Sequence, residues 1–208
     1  MVKQESFGMW SNLTSHDDLI PPELISLTES VTPEQFERLC QEYSDLRLEL
    51  TSTGELIVMP GTGFKTGVRN ANLTRQLGTW AIKDGSGVCC DSSTIFALPN
   101  GARRSPDASW VKGDKLDNLS ERQQEGFAPI CPDFVVELRS PSDRLATLHD
   151  KMLEYIANGA SLGWLIDPLR RRVYVYKPDE ELVILESPEI VCGDPLLRGF
   201  ELKTDELW

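Results

Sequence analysis

The sequence predicts an α+β protein with a mixed central β-sheet flanked by helices. Two observations carry that expectation. Segments of helical periodicity alternate with short β-branched and aromatic runs in the order helix, strands, helix, several strands, helix, strands. The 208 residues, 40% apolar and 26% charged, suit one soluble domain that can bury a core without disulfides or a structural metal.

Residues 1–30 mix Ser, Thr, Asp and Pro with little periodicity and read as an irregular arm, leaving 31–208 as the domain. A helix over about 33–43 follows. Thr32 is its N-cap, Pro33 its first residue and Gln35 the partner that closes a capping box, ahead of Phe36, Leu39 and Tyr43 at helical spacing. Leu46 to Leu50 and Glu55 to Met59 are strand-like, and Gly54 in the connection allows a hairpin. Val68, Leu73, Leu77, Trp80 and Ala81 mark a second helix from Lys65 to Ile82, stopped by Gly85 and Gly87.

Ser92 to Leu98 and Ala108 to Val111 read as strands around the turn Pro99, Asn100, Gly101. The polar stretch Lys112 to Gly126 is a loop or a short helix. Phe134 to Leu138 is a dense apolar strand interrupted by Glu137. Ser140, Pro141, Ser142 and Asp143 are start signals for a third helix carrying Leu145, Leu148, Met152, Tyr155 and Ile156, closed by Asn158 and Gly159. Leu162 to Ile166 and Arg172 to Tyr176 are strands around Asp167 and Pro168. A last β stretch, Leu182 to Leu185, leads into an acidic tail.

The apolar runs are too short for a membrane span, and the first residues lack the basic flank and apolar core of a signal peptide, so a cytoplasmic location is expected. Five cysteines without a CxxC pair, and two histidines, disfavour a zinc ribbon or a disulfide framework. The net charge of −12 excludes a broad basic nucleic-acid face. Its distribution is uneven. Residues 178–208 hold 9 acids against 2 bases, whereas residues 101–177 hold 11 acids against 12 bases.

That middle region contains the residues with chemistry. Glu137 lies among apolar neighbours, with Val135 on its own face of the strand and Val136 and Leu138 on the other. A carboxylate buried there needs a cation, a metal or a raised pKa. It is either salt-bridged in the core or a metal ligand or acid–base group. Asp107 opens a strand thirty positions earlier, which leaves room for the two carboxylates to face each other on neighbouring strands. Such a pair suits Mg²⁺, a hard cation that takes one or two carboxylates and keeps several waters. Asp133, about 13 Å from Glu137 along an extended strand, reads as a capping or turn residue. Lys151 sits one helical turn before Tyr155 on the same face, where its ammonium can reach the carboxylates if the helix packs on the sheet. Otherwise it pairs with Asp150 or Glu154. Arg139 is placed to hold a phosphate or to neutralise Glu137.

SPDASWV, PDFVVELRSPSD, HDKMLEYIANGA, LGWLIDP and RRVYVY, with GELIVMPGTG and GDPLLRGFEL, resemble the Uma-type restriction-endonuclease family, a branch of the PD-(D/E)XK nuclease-like superfamily. The likeness spans about residues 33–205 and is most specific from Pro132 to Pro168. It implies a restriction-endonuclease-like core in which Asp107 and Glu137 bind Mg²⁺, with Mn²⁺ able to substitute, for hydrolysis of DNA phosphodiesters. The superfamily's lysine stands two residues after the acid, where this chain has Arg139. The resemblance moves that role to Lys151, since arginine does not readily lose a proton. The second helix, which often supplies a further ligand, offers Asn70, Asn72 and Gln76.

The expected enzyme is therefore a Mg²⁺-dependent endodeoxyribonuclease with Asp107, Glu137 and Lys151 catalytic. Arg104, Arg139, Arg144 and Tyr155, with Arg103 and the run Arg170 to Arg172, are the candidate DNA contacts. A homodimer is expected, because cutting both strands of a duplex usually takes two sites. The alternative is a catalytically inactive nuclease fold acting as an interaction or regulatory module. A serine or cysteine hydrolase lacks its motifs, there being no GxSxG.

Overall fold

The computed structural model describes residues 30–208. The expected arm over 1–30 lies outside them but for Ser30. Helix α1 (Pro33–Glu42) begins with the expected capping box between Thr32 and Gln35 and buries Phe36, whose ring packs 5.9 Å from that of Phe127. Strands β1 (Arg47–Leu50) and β2 (Leu56–Met59) form the hairpin, in the register Leu48↔Val58. Helix α2 (Phe64–Asp84) buries Thr66, Leu73, Leu77 and Ala81 and ends on Gly85 at φ 72°, a left-handed conformation that favours glycine.

Three segments differ from the sequence reading. Gly87–Asp91 forms β3, an edge strand paired with β6 (Ala108–Lys112), where the sequence shows only a helix stop followed by two cysteines. The expected strand over 92–98 shrinks to β4 (Phe96–Ala97), paired with β5 (Arg103–Arg104). The Asp91 carboxylate accepts from the Ser93 amide and hydroxyl, so the residues before β4 are bent into a turn. The acidic tail is an ordered hairpin, β11 (Ile190–Cys192) with β12 (Glu201–Lys203). Alternation turns Val191 and Leu202 inward, and Phe200 stacks on Trp164 with ring centroids 5.9 Å apart.

The polar stretch becomes two single-turn helices, α3 (Gly113–Asp117) and α4 (Glu121–Glu125). Strand β7 (Phe134–Leu138) is buried at every residue. Helix α5 (Leu145–Ala157) starts after Arg144 rather than at Asp143, because the Asp143 carboxylate is spent on the Ser140 amide and closes the preceding turn. Strands β8 (Leu162–Asp167), β9 (Arg172–Tyr176) and β10 (Val183–Glu186) complete the domain.

The main sheet has the order β10-β9-β8-β7-β6-β3, with β7 and β8 parallel and the other pairs antiparallel. It is the mixed sheet expected. One face packs on α2 and the β11–β12 hairpin, and the other on α5. A second sheet, β2-β1-β5-β4, packs on α1. Gly163 in β8 makes room for a side chain of α5: a Cβ there would lie 2.4 Å from the Met152 methyl group, so a larger residue would require that methionine to shift.

Among the described residues no helix is long and apolar enough to cross a membrane. All five cysteines are free. Burial pushes the Cys131 and Cys89 thiols up to about 12, while Cys192 is exposed. An aromatic disulfide reagent at pH 8 is therefore expected to modify Cys192 within minutes and Cys131 only on unfolding, because the thiolate is the reactive species. Peptide mapping of the labelled protein checks the order.

Candidate active site

The chain passes from the small sheet to the large one in three residues, Ser105 to Asp107, between β5 and β6. The carboxylates gather at this crossing. In the antiparallel pair β6–β7, Ala108 lies opposite Val136, so one step further along the ladder brings Asp107 alongside Glu137. The Asp107 Oδ2 accepts from the Leu138 amide at 2.7 Å, which fixes the aspartate at the end of β7. Its Oδ1 accepts from the Asn70 side chain of α2 at 3.1 Å.

Alternation in β1 sends Leu48 and Leu50 into the α1 cluster and leaves Glu49 on the opposite side. Glu49 is 2% exposed and accepts from the Ser105 amide at 2.9 Å. Lys151, on the face of α5 that meets the sheet, lies between the two layers. Its Nζ is 2.8 Å from Glu49 Oε1 and 2.8 Å from Glu137 Oε1. The Tyr155 hydroxyl, one turn on, donates to the same Glu137 oxygen at 3.1 Å. Asp107, Glu137 and Lys151, far apart in the chain, are thus together.

Burial pushes the Glu137 carboxyl up to about 7 against the pull of Lys151, and the charges of Asp107 and Glu49 raise it further. Burial likewise raises Asp107, opposed by the Leu138 amide and by Lys151. Burial works against ionisation of Glu49 too, yet Lys151, Arg104 and the Ser105 amide hold its carboxyl below the usual range. For Lys151 burial is outweighed by Glu137 and Glu49, and the ammonium is held charged.

A carboxyl whose pKa rises on folding contributes stability that is complete below its unfolded value, near 4.5, and is lost as pH rises through about 7. The metal-free Glu137→Gln variant is therefore expected to gain on the wild type between pH 5 and pH 8. Urea denaturation of both proteins in chelator at the two pH values measures the difference. A difference independent of pH would show that Glu137 titrates normally.

The other sequence candidates are placed elsewhere. Arg139 lies beyond the end of β7, and its guanidinium is bound 2.8 Å from the fully buried Asp167 of β8, so it neither neutralises Glu137 nor stands free for phosphate. Arg104 is clamped between Glu49 at 3.2 Å and Glu154 at 2.6 Å, a positioning role for the small sheet in place of a rim contact. Tyr155 is fully buried and holds Glu137, which removes it from the expected DNA surface. Arg144 is exposed at the start of α5. Of the triple arginine turn, Arg172 pairs with Glu186 across the β9–β10 hairpin, while Arg170 and Arg171 are exposed. Asp133 is a capping residue, accepting from the Lys112 amide and pairing with Lys115.

Glu49 escaped the sequence reading, although the string RLEL carries the signal found in FVVEL, a single acid within an otherwise buried strand. Asn70 could be named only as one of three polar residues on its helix.

Among the described residues no three His, Cys, Asp or Glu side chains form a ready-made cage. The set nevertheless fits a hard cation that keeps several waters. Asp107 and Glu137 are adjacent oxygen donors, and the Asn70 carbonyl oxygen is buried with no hydrogen-bond partner.

A mixed sheet flanked by helices thus carries two acids on adjoining strand ends with a lysine against them. The sequence pattern of the Uma2 family, described as "Putative restriction endonuclease", matches residues 33–205, and the chain belongs to that family. A crystal structure of a protein from Anabaena variabilis ATCC 29413, described as "a putative nuclease belonging to DUF820", superposes with a TM-score of 0.71 at 20% identity. The match covers 85% of this chain and 97% of that one. No curated protein matches.

Proposed function

We propose that the protein is a metal-dependent endonuclease hydrolysing DNA phosphodiesters, with Asp107 and Glu137 holding Mg²⁺, or Mn²⁺ in its place. The observation that carries this reading is the alignment of Asp107 with Glu137 while Lys151 stands 2.8 Å from the latter. Family membership supports it.

When bound, the cation supplies positive charge against the phosphoryl oxygens and acidifies water. The residues do the rest. Glu137 is oriented by Lys151 and Tyr155, and Asp107 by the Leu138 amide, so both carboxylates are preorganised before substrate arrives. An ammonium has three N–H donors, and Lys151 uses two on Glu49 and Glu137. The third serves a phosphate oxygen or the attacking water. Lys151 acts as a charged donor and not as a base, since its two carboxylates keep the proton on it.

Calorimetric titration with Mn²⁺ tests the reading. Wild type should bind one ion, and Glu137→Ala should lose most of the affinity. Equal affinities would remove the metal site. A second reading, a non-catalytic scaffold that binds proteins, is favoured by the net charge of −12. Metal binding without cleavage of any DNA would select it. The proposed mechanism is complete within one chain and requires no second copy in the site, so the expected homodimer is not part of it.

A further inference from the structure

A cleft of about 950 Å³ opens beside the carboxylate cluster, between α1 and β1 on one side and the α4 region on the other. Glu49 and Ser105, which touch the Lys151 cluster, form part of its wall, so it adjoins the candidate active site across these two residues. Building on the nuclease reading, we propose that this cleft binds unpaired nucleotides of a DNA strand next to the scissile phosphate, and that the substrate is single-stranded or locally unpaired DNA.

Size is the first argument. The volume lies at the upper end of ordinary ligand pockets, roughly 300–1,000 Å³, enough for a few nucleotides of one strand. An intact duplex stays outside such a cleft and requires an open basic face, which a chain of net charge −12 does not supply.

Chemistry is the second. Phe127, Ile95 and Met59 give the wall apolar surface on which bases can lie, and Phe127 is backed by Phe36. Gln41 and Gln123 are exposed amides that can meet base edges. Arg47, two residues from Glu49 on the same strand, is anchored to the Ser92 carbonyl and close enough to Asp107 to lower its pKa, so it stands between the cleft and the carboxylates. Arg122 is exposed on the α4 wall. Among the acids of the wall, Glu49 is paired with Lys151 and Arg104, and Glu37 lies 4.0 Å from Arg103. The two arginines share the wall with the exposed Glu37 and Glu125, and Arg47 also faces Asp91 and Asp107. A strand whose phosphates meet Arg47 and Arg122 would be led to the site by this charge pattern.

The test is fluorescence anisotropy of a labelled single-stranded 20-mer and of its duplex with full-length protein in chelator, followed by cleavage of both in Mg²⁺. The single strand is expected to bind at least tenfold more tightly and to be the strand cut. Arg122→Glu should weaken its binding about fivefold and flatten the salt dependence by about one unit. Ser44→Trp, an exposed residue on the opposite wall, should weaken it by filling the space. Duplex binding as tight as the single strand, or both variants within twofold of wild type, overturns the proposal. Cleavage of duplex alone, abolished by Asp107→Asn, overturns it and leaves the nuclease reading standing. Single-strand binding that depends on the cleft, without any cleavage, upholds the cleft and removes the nuclease reading.

Discussion

Asp107→Asn is expected to abolish Mn²⁺ binding and to lower DNA cleavage by at least about 10³-fold, while metal-free protein melts at the wild-type temperature or above. The substitution removes the charge and keeps an oxygen for the Leu138 amide, while the new NH2 faces Asn70, whose unpartnered carbonyl oxygen can turn to accept it. That charge is unfavourable in the metal-free fold, because burial has already pushed the Asp107 carboxyl upward. Loss of an electrostatic contact at a reacting phosphate commonly costs about 10²–10³ in rate, and loss of the cation itself costs more. Activity and stability should therefore move independently, as at a site kept for function at some expense of stability. Mn²⁺ titration, an initial-rate cleavage assay and a thermal melt on the same preparation check all three. Unchanged Mn²⁺ affinity would place any metal elsewhere.

Lys151→Met is expected to have the largest effect on stability. It leaves Glu49 and Glu137 buried at one crossing with their shared counter-ion gone. Breaking a buried pair by removing one partner costs about 3–5 kcal/mol. In a domain of this size that corresponds to a drop in melting temperature of roughly 6–20 °C. The deficit should be larger at pH 8 than at pH 5. Without the ammonium both carboxyls hold protons to higher pH, and the penalty vanishes once they are neutral. Adding Glu137→Gln should recover part of the loss, so the double-mutant cycle at pH 8 should show clear coupling. A deficit below about 1 kcal/mol at pH 8 would mean that Arg104 and water already neutralise the cluster.

The sheet and its two main helices were legible because their signals are local. The capping box at Thr32, the apolar period of α2 and the dense run of β7 each lie within one element of the chain. β3 was not, because its two cysteines carry no alternation and its pairing with β6 is a tertiary event. The tail misled because its charge dominates its composition, whereas Val191, Phe200, Leu202 and Leu207 decide its fate. In the site, Asp107 and Glu137 could be paired from strand spacing, and Lys151 from helix phase and the family resemblance. Glu49 could not, since nothing local shows that the hairpin docks where the chain changes sheets. Arg139 and Arg104 were misjudged for a related reason. A sequence displays a cation but not the buried acids, Asp167 for one and Glu49 and Glu154 for the other, that claim it.

Gly163 touches no substrate and bears no functional group, yet it makes room for the residue that follows the amine. Its bare backbone receives the Met152 methyl group, which a side chain there would turn into another rotamer beneath the turn of α5 that carries Lys151. An engineer grafting this lysine-bearing helix onto another scaffold would therefore match the glycine and the methionine as a pair.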